Sequence, residues 1–552
     1  MTIQVILPNG KTYEEKTEEV IRPLDLLEKY QDECEYQIVA CRLNYRNAHL
    51  LETIEGDAEL VFQDMRSPYG NMVYQASLTL MYIAAIHDIL GDDVKVSIAN
   101  SLSKGIFTRI HISSVTDELC EQIENRMHEM VEANLPIQEV RMDREKIIHY
   151  LEETGNEIER RMWVTATDLS HAFVDEVLNT KIVCYHHLVP FTSYIPYFNI
   201  KRYRNGVLLR FPETKKPDVV PPYEEQKLLY EAFSEVSHWE NLMGINYIAD
   251  LNEKVLADDM KDMVMLSEAL HEKKIAEIAE TIAQANKRII LIAGPSSSGK
   301  TTFAKRLCIQ LRVIGLKPLY LGTDDYFMDR EDMVPDENGE LDFESLSAVD
   351  VNLFTAQMNA LLAGQKVDIP EFDFLEGKKV FGKRITSIDN SQPIVIEGIH
   401  GLNPALTEGI DDEAKFKIYI SPFTQINIDM NHRIPTTDAR MLRRLVRDNL
   451  RRGRDAARTI KDWPSVRKGE EVYIFPYNAE ADVFFNSQCL YELAVLKKYA
   501  KPLLEEIPKD ADEYAEAQRM SKFLDYFVSI DDDSIIANNS IIREFIGGSI
   551  IV

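Results

Sequence analysis

The sequence predicts an α/β protein whose second half folds as a doubly wound parallel sheet, preceded by a small α+β module and a larger α+β region. Three observations carry this. From 288 to 490, short apolar runs rich in β-branched residues alternate with helical patterns, as parallel strands joined by crossover helices do. The first such run, RIILIA, passes into a loop of Gly, Pro and Ser and then directly into a helical pattern, RIILIAGPSSSGKTTFA at 288–304. At the other end, IQVIL and AELVF alternate in β fashion around an Asn9-Gly10 turn, with one short helical pattern from Pro23 to Tyr30.

A chain of 552 residues exceeds one core and implies three or four units. The expected divisions are 1–65, 66–240, a helical connector at 241–287, the sheet-bearing unit at 288–490, and C-terminal helices with an apolar tail at 491–552. With 45% hydrophobic and 28% charged residues the chain reads as globular and not disordered. Its formal charge of −29 opposes general attraction to nucleic acid or an anionic membrane, so any phosphate site must be a local positive patch. Six scattered cysteines without a C-x-x-C pair fit reduced thiols. The start, MTIQVILPNG, lacks the features of a signal peptide, and no apolar run is expected to reach the ~20 residues of a membrane span. A cytoplasmic protein without a membrane partner is the expectation.

Residues 1–65 resemble the TGS domain through LPNG at 7–10, Ala40 to Asn44, and L-x-x-x-x-G-D-A-E-L at 51–60. From 68 to 240 helices are expected at 72–90, 115–133 and 223–239, with strands at 95–99, 106–112, 181–185 and 206–211. The order of elements and HLVPFTSYIPYFNIKRY at 187–203 resemble the second additional domain of threonyl-tRNA synthetases. That resemblance implies an editing site built from a His-x-x-x-His and a Cys-x-x-x-His pair. Here the helix reads MVYQASLTLMY without histidine, and Cys184 stands three residues before His187, so the expectation is a strand with partly buried imidazoles and neither metal nor editing chemistry. PETKKPDVVPP at 212–222 reads as an extended connector, and 258–286 as a long helix with an apolar stripe from Met260 to Ile282.

The loop fits G-x-x-x-x-G-K-[ST], with Gly294, Gly299, Lys300 and Thr301 in the fixed places. A loop wrapped on a polyphosphate must turn backbone amides inward, and side chains would obstruct it. Lys300 adds a point charge near the β/γ-phosphates, Thr301 offers a hydroxyl to Mg²⁺, and the following helix aims its positive end at the anion. Gly294, Pro295, Ser296, Ser297, Ser298, Gly299, Lys300, Thr301 and Thr302 are therefore the expected ATP-binding stretch.

PLYLGTDDYF at 318–327 reads as a second buried strand ending in Asp324 and Asp325, beside the loop where doubly wound sheets place their chemistry. PIVIEGIHGL at 393–402 reads as a third, its Glu397 placed to hold Mg²⁺ directly or through water. KFKIYIS at 415–421 and ADVFFN at 481–486 read as the fourth and fifth. Seven arginines and a single acid, Asp448, fall between 440 and 454, and on a helix Arg440, Arg444, Arg447, Arg451 and Arg454 form one stripe. A solvated helix usually mixes signs, so this run reads as a phosphate-clamping lid in preference to a merely basic helix.

GPSSSGKTT, TDDYF, DIPEFDFLEGKK at 368–379, IEGIHGLN, RRLVRDNLRRGRD at 443–455 and ADVFFN fall in the order of the uridine kinase and phosphoribulokinase family, which the segment 288–490 resembles. The resemblance implies an ATP-dependent, Mg²⁺-assisted kinase acting on the 5′-hydroxyl of a nucleoside. It implies Asp324 as general base, Glu344 on the ribose, Phe372 against the base, and Arg444, Arg447, Arg452 and Arg454 as lid arginines, with Arg444 toward the substrate and Arg454 toward the nucleotide. The family's base-reading histidine is replaced by Gly377, which puts uridine or cytidine specificity in question.

Two other readings stand beside this one. In the first, the front half contacts tRNA and the loop serves a regulatory protein as a nucleotide switch; Asp324 and the arginine run weigh against it, since a switch needs no general base. The second, a GTPase, lacks an N-K-x-D motif, Asn286-Lys287 being followed by Arg and Ile. The acceptor nucleoside, a tRNA contact and self-association are left open by the sequence.

Overall fold

The computed structural model describes residues 1–333, 341–424 and 426–552. Residues 1–65 form a five-stranded sheet in the order Thr12–Lys16, Thr2–Ile6, Ala58–Asp64, Ile38–Leu43, Arg46–Ala48, crossed by the helix Pro23–Tyr30. The first and last long strands pair in parallel, Val5 opposite Leu60, so Ile3, Val5, Leu60 and Phe62 turn one face into a small core with Leu27.

The helix Pro68–Leu90 follows, opened by Ser67, whose side chain accepts from the Gly70 amide. Its length and composition would suffice to cross a membrane, against the sequence expectation. Ser77 through Ile86 are buried all round, and the helix packs within the front half among Ile98, Ile123, Met127 and Leu209. Two antiparallel sheets flank it: Asn199–Tyr203, Gly206–Arg210, Gly105–Ile110, Val96–Leu102, and Thr180–Cys184, His171–Val177, Gln138–Asp143. The strands at 138–143, 171–177 and 199–203 and the helices Arg144–Glu153 and Glu157–Thr165 were not expected. QEVRMD, largely solvent-facing, shows why: it carries no apolar alternation to announce a strand.

In the second half all five sheet strands run parallel, in the order Leu319–Gly322, Ile394–Glu397, Ile289–Ala293, Lys415–Ser421, Val483–Asn486. Ile289–Ala293 lies in the centre and is buried at every residue, which is why it reads as a continuous apolar run. The second strand is shorter than expected. It stops at Gly322, and Thr323–Tyr326 turn as a 3₁₀ helix, so Asp324 and Asp325 lie on that turn and not at the end of the strand. Val367–Asp373 and Lys378–Thr386 form a separate antiparallel hairpin.

After the helix Lys227–Met243, the connector is two helices, Ile248–Leu256 and Lys261–Gln284. The last packs Ile275, Ile278 and Ile282 on the sheet's helix layer. A further core joins Trp163 of the front half, Ala249 of the connector, Leu442 of the arginine helix and Tyr491, Leu496 and Phe527 of the C-terminal helices. The front half and the arginine helix therefore share one packed interior.

Candidate active site

The loop Gly294–Gly299 owes its shape to contacts no other residue would permit. A Cβ at Gly294 would strike the carbonyl oxygen of Ile420 and lie 3.0 Å from Ser298 Oγ. Gly299, at φ +82°, caps the helix Lys300–Val313, and a Cβ there would meet Ile541 at 2.5 Å. Ser297 also takes positive φ, +60°, without being glycine. Among the described residues the Ser297 and Ser298 hydroxyls are buried without a partner, and the first-turn amides of Lys300 and Thr301 have no partner four residues back. These are the donors a polyphosphate cradle needs. Lys300 Nζ bridges the loop, donating to the carbonyls of Gly294 at 2.9 Å and Pro295 at 3.1 Å.

Around Lys300 the sheet's C-terminal edge gathers three acids. Thr301 Oγ1 donates to Glu397 Oε1 at 2.9 Å, and the Tyr320 hydroxyl donates to the same oxygen at 3.1 Å. A hydroxyl and a carboxylate in contact beside the loop suit a divalent cation. Burial raises the carboxyls of Glu397, Asp324 and Glu344, and Lys300 pulls each of them back down. Asp324 opens on the cleft and, among the described residues, has no ion pair, whereas Asp325 is held by Arg384 at 2.6 Å.

The arginine helix, Thr436–Arg452, ends at Gly453 in the left-handed conformation, so Arg454 lies beyond it. The expectation that its charge stays unanswered until an anion arrives is corrected by acids from other elements and by Asp448 of the helix itself. Arg440, buried against Trp463, pairs with Glu470 of the helix Ala456–Tyr473. Arg443, fully buried, donates to Glu492 Oε2 at 2.6 Å and to the carbonyl of Ser487 at 2.8 Å. Asp448 takes Arg447 at 2.8 Å and Arg444 and Arg452 at 3.4 Å each, and Arg454 pairs with Asp462 at 3.4 Å. No sequence window could show Glu470 or Glu492 closing on these positions. The helix nonetheless grips the loop: Arg440 Nε donates to Ser296 O at 3.0 Å, Arg443 to Ser297 O at 3.3 Å, and Arg444 to Ser296 Oγ at 2.8 Å.

Three expected binding residues are otherwise engaged. The Ser296 amide donates to Glu470 at 3.0 Å, and the buried Thr302 hydroxyl donates to Glu544 at 2.6 Å. Both residues thus serve the loop's own architecture. Phe372 is 5% exposed, edge-on to Phe327 and Phe374, so its ring belongs to the core; Phe374, 57% exposed at the hairpin turn, is the exposed aromatic beside it. Gly377 takes φ +69°, and a side chain there would collide with Arg330, whose backbone amide donates to Gly377 O at 2.9 Å. A histidine cannot occupy this turn without displacing that arginine.

His400 was missed by the sequence reading. It is 1% exposed beside the Glu344–Ser345 backbone, and burial lowers it to about 4, so the imidazole is neutral beside Glu344. Its place directly after the Glu397 strand was the available signal.

Comparison with known proteins places this geometry. The Phosphoribulokinase / Uridine kinase family profile matches residues 289–493. A uridine kinase of Staphylococcus epidermidis is 30% identical over 197 residues, covering 35% of this chain and 85% of that protein. The chain belongs to the phosphoribulokinase/uridine kinase family. A uridine kinase of Halobacterium salinarum is 27% identical over 193 residues, 35% of this chain and 76% of its own. A solved structure described as a possible uridine kinase from Bacillus stearothermophilus aligns with 39% of this chain and 97% of its own, at 21% identity and a TM-score of 0.27. The family domain is thus the C-terminal region that carries the loop, the acids and the arginine helix.

Proposed function

We propose that the protein is an ATP-dependent nucleoside kinase that moves the γ-phosphoryl group of ATP to a nucleoside 5′-hydroxyl. The observation that carries this reading is the convergence of Asp324, Glu344 and Glu397 on Lys300 at the mouth of the loop. The amides and the orphaned hydroxyls of Ser297 and Ser298 would hold the donor's phosphates, with Lys300 exchanging its loop carbonyls for phosphate oxygen. Thr301 and Glu397 would hold Mg²⁺. When bound, Mg²⁺ draws charge from the phosphate oxygens and orients them.

Asp324 orients the acceptor hydroxyl and takes its proton as the new P–O bond forms and the bridging bond to ADP breaks. Glu344 meets the ribose hydroxyls, with neutral His400 beside it as a further donor or acceptor. Arg447 and Arg452 clamp the transferring group by exchanging Asp448 for phosphoryl oxygen. Phe374, in place of Phe372, stacks on the base, and Arg330 against Gly377 reshapes the pocket where a base-reading histidine is missing. That change puts uridine and cytidine in question as the acceptor.

The front half, through its resemblance to TGS and synthetase second additional domains, is read as a binding and regulatory region without editing chemistry. A panel of nucleosides assayed for ADP release by wild type and Lys300→Ala tests the proposal. One nucleoside should stimulate release at least about 10-fold above ATP alone in wild type only, given that a clamped phosphate lysine works chiefly on the transition state. Equal release by both proteins would refute it.

A further inference from the structure

A cavity of about 170 Å³ lies away from the phosphate cleft, between the front half and the start of the arginine helix. Its walls come from five separated stretches: Met72 and Ala76 of the long apolar helix, Ile98 of the sheet-edge strand, Ile182 and His186 at the end of a front-half strand, Ile428 to Pro435, and Lys522 and Phe523 of the C-terminal helix. Cys184 and His187, the nearby residues of that strand end, do not line it. Cys184 is fully buried and His187 is held by Glu139 at 2.8 Å.

Two cations distinguish this cavity. Arg433 and Lys522 both line it, both are half-buried, and among the described residues neither has an ion pair or a hydrogen-bonded acid. The third cation, Arg519, is saturated: Asp438 takes it at 2.7 and 3.0 Å and Glu516 at 2.7 Å. Asp438 is thereby unavailable to Arg433. The other acids close by are also engaged: Asp429 accepts from the His432 ring at 2.9 Å and from the Tyr185 hydroxyl at 2.7 Å, Asp525 accepts from Lys501 at 2.5 Å, and Glu139 is paired with the His187 ring at 2.8 Å. In a chain with 91 acids and 62 lysines and arginines, two half-buried cations without a carboxylate are anomalous, because burying a charge without a partner is costly. Burial also holds Lys522 down at about 8, and neutral His186 is lowered to about 3. The rest of the wall is apolar, through Met72, Ala76, Ile98, Ile182, Ile428 and Phe523.

We propose that this cavity binds a small organic anion, one carboxylate or phosphate head on Arg433 and Lys522 with an apolar body against Met72, Ile428 and Phe523, and that it acts as an effector site. The volume suits a body near the size of a benzene ring, since an apolar cavity of about 150 Å³ accepts benzene. The segment that lines it is pinned on both sides. Ile98 donates its amide to Met430 O at 2.8 Å, and Asn427 and Asn431 reach the carbonyls of Ile98 and Val96 at 3.0 and 3.1 Å, closing the edge of the front-half sheet. Pro435 then opens the helix whose Arg440, Arg443 and Arg444 hold the phosphate loop. An anion drawing on Arg433 thus acts at the root of the element that grips Ser296 and Ser297.

The test is ligand-observed NMR titration of the full chain with benzoate, phenyl phosphate, benzyl alcohol and inorganic phosphate. Benzoate or phenyl phosphate should bind with a dissociation constant on the order of 1 mM, which about ten heavy atoms supply. The tighter of the two names the head group. Benzyl alcohol and inorganic phosphate should bind at least about 10-fold more weakly, as should the tighter probe to Arg433→Met and to Lys522→Met, charge-assisted hydrogen bonds being the strong ones. Lys300→Ala should bind it as wild type does. Absence of binding, equal affinity for benzyl alcohol, or unchanged affinity in both cavity variants would overturn the site; Lys522→Met, at a half-exposed helix position, keeps this decidable if Arg433→Met fails to fold. In a second arm, the bound probe should change ADP affinity by at least about 3-fold, and ADP should change probe affinity by the same factor. Probe binding without that linkage would overturn the effector role. The first arm does not depend on kinase activity, so its failure and that of the proposed function are distinguishable.

Discussion

Asp324→Asn keeps the size of the side chain and removes its basicity. Among the described residues Asp324 makes no ion pair, so the substitution breaks none, and Lys300 still has its two loop carbonyls. ATP affinity should therefore stay within about 3-fold, while kcat falls by about 10²- to 10⁴-fold, or ~3–5 kcal/mol of activation free energy. The neighbouring Asp325→Asn is the control. It breaks a partly exposed pair with Arg384, worth about 0–1 kcal/mol, and should cost kcat no more than ~5-fold. The pH profile adds a second readout. Burial raises the Asp324 carboxyl, and the base is its ionised form, so kcat/KM should climb with pH along an acid limb that Asp324→Asn abolishes. Steady-state ADP release with the best acceptor, and fluorescence titration with an ATP analogue, measure both quantities. Collapse in Asp325→Asn with near-normal Asp324→Asn would refute the assignment of the base.

The lid makes a kinetic prediction: Arg447→Ala and Arg452→Ala should lower kcat on the order of 10²-fold with KM for the acceptor nearly unchanged, and a raised KM at normal kcat would move these residues into acceptor binding. Arg443→Met leaves Glu492 buried and unpaired and should cost about 3–5 kcal/mol in denaturant unfolding, with much of that recovered on adding Glu492→Leu; equal loss in the double variant would contradict the buried-pair account. Asp175 is fully buried with both oxygens unpartnered, and burial holds its carboxyl far above the ordinary range. The folded state keeps a proton that the unfolded state releases, so stability is lost as pH rises from about 4 toward the folded-state value. Asp175→Asn should accordingly raise the melting temperature at pH 8 but not at pH 4, and the same shift at both would exclude Asp175 titration.

The kinase half was legible because its signals are local. A five-residue buried strand, two glycines at fixed spacing and Lys300-Thr301 lie within one stretch, and Thr301 meets Glu397 because the strand that bears Glu397 is hydrogen-bonded to the loop strand. What escaped was fixed by distant partners. The arginine run looked unanswered because Glu470 and Glu492 come from later helices, and Phe372 looked available because only packing shows Phe327 and Phe374 against it. Asp324 was placed correctly beside the loop but on an assumed strand, since nothing in TDDY announces a 3₁₀ turn. The apolar helix Pro68–Leu90 escaped recognition as span-length because Asn71, Tyr74, Gln75 and His87 interrupt its run, though its mean hydropathy passes.

The most direct measurement is transfer of label from γ-labelled ATP in the presence of the best acceptor nucleoside and, separately, of its 5′-deoxy analogue. The account predicts a labelled nucleoside 5′-monophosphate from the first, none from the second, and loss of the product in Lys300→Ala. Label appearing only as inorganic phosphate, or equal labelling of the 5′-deoxy analogue, would contradict it.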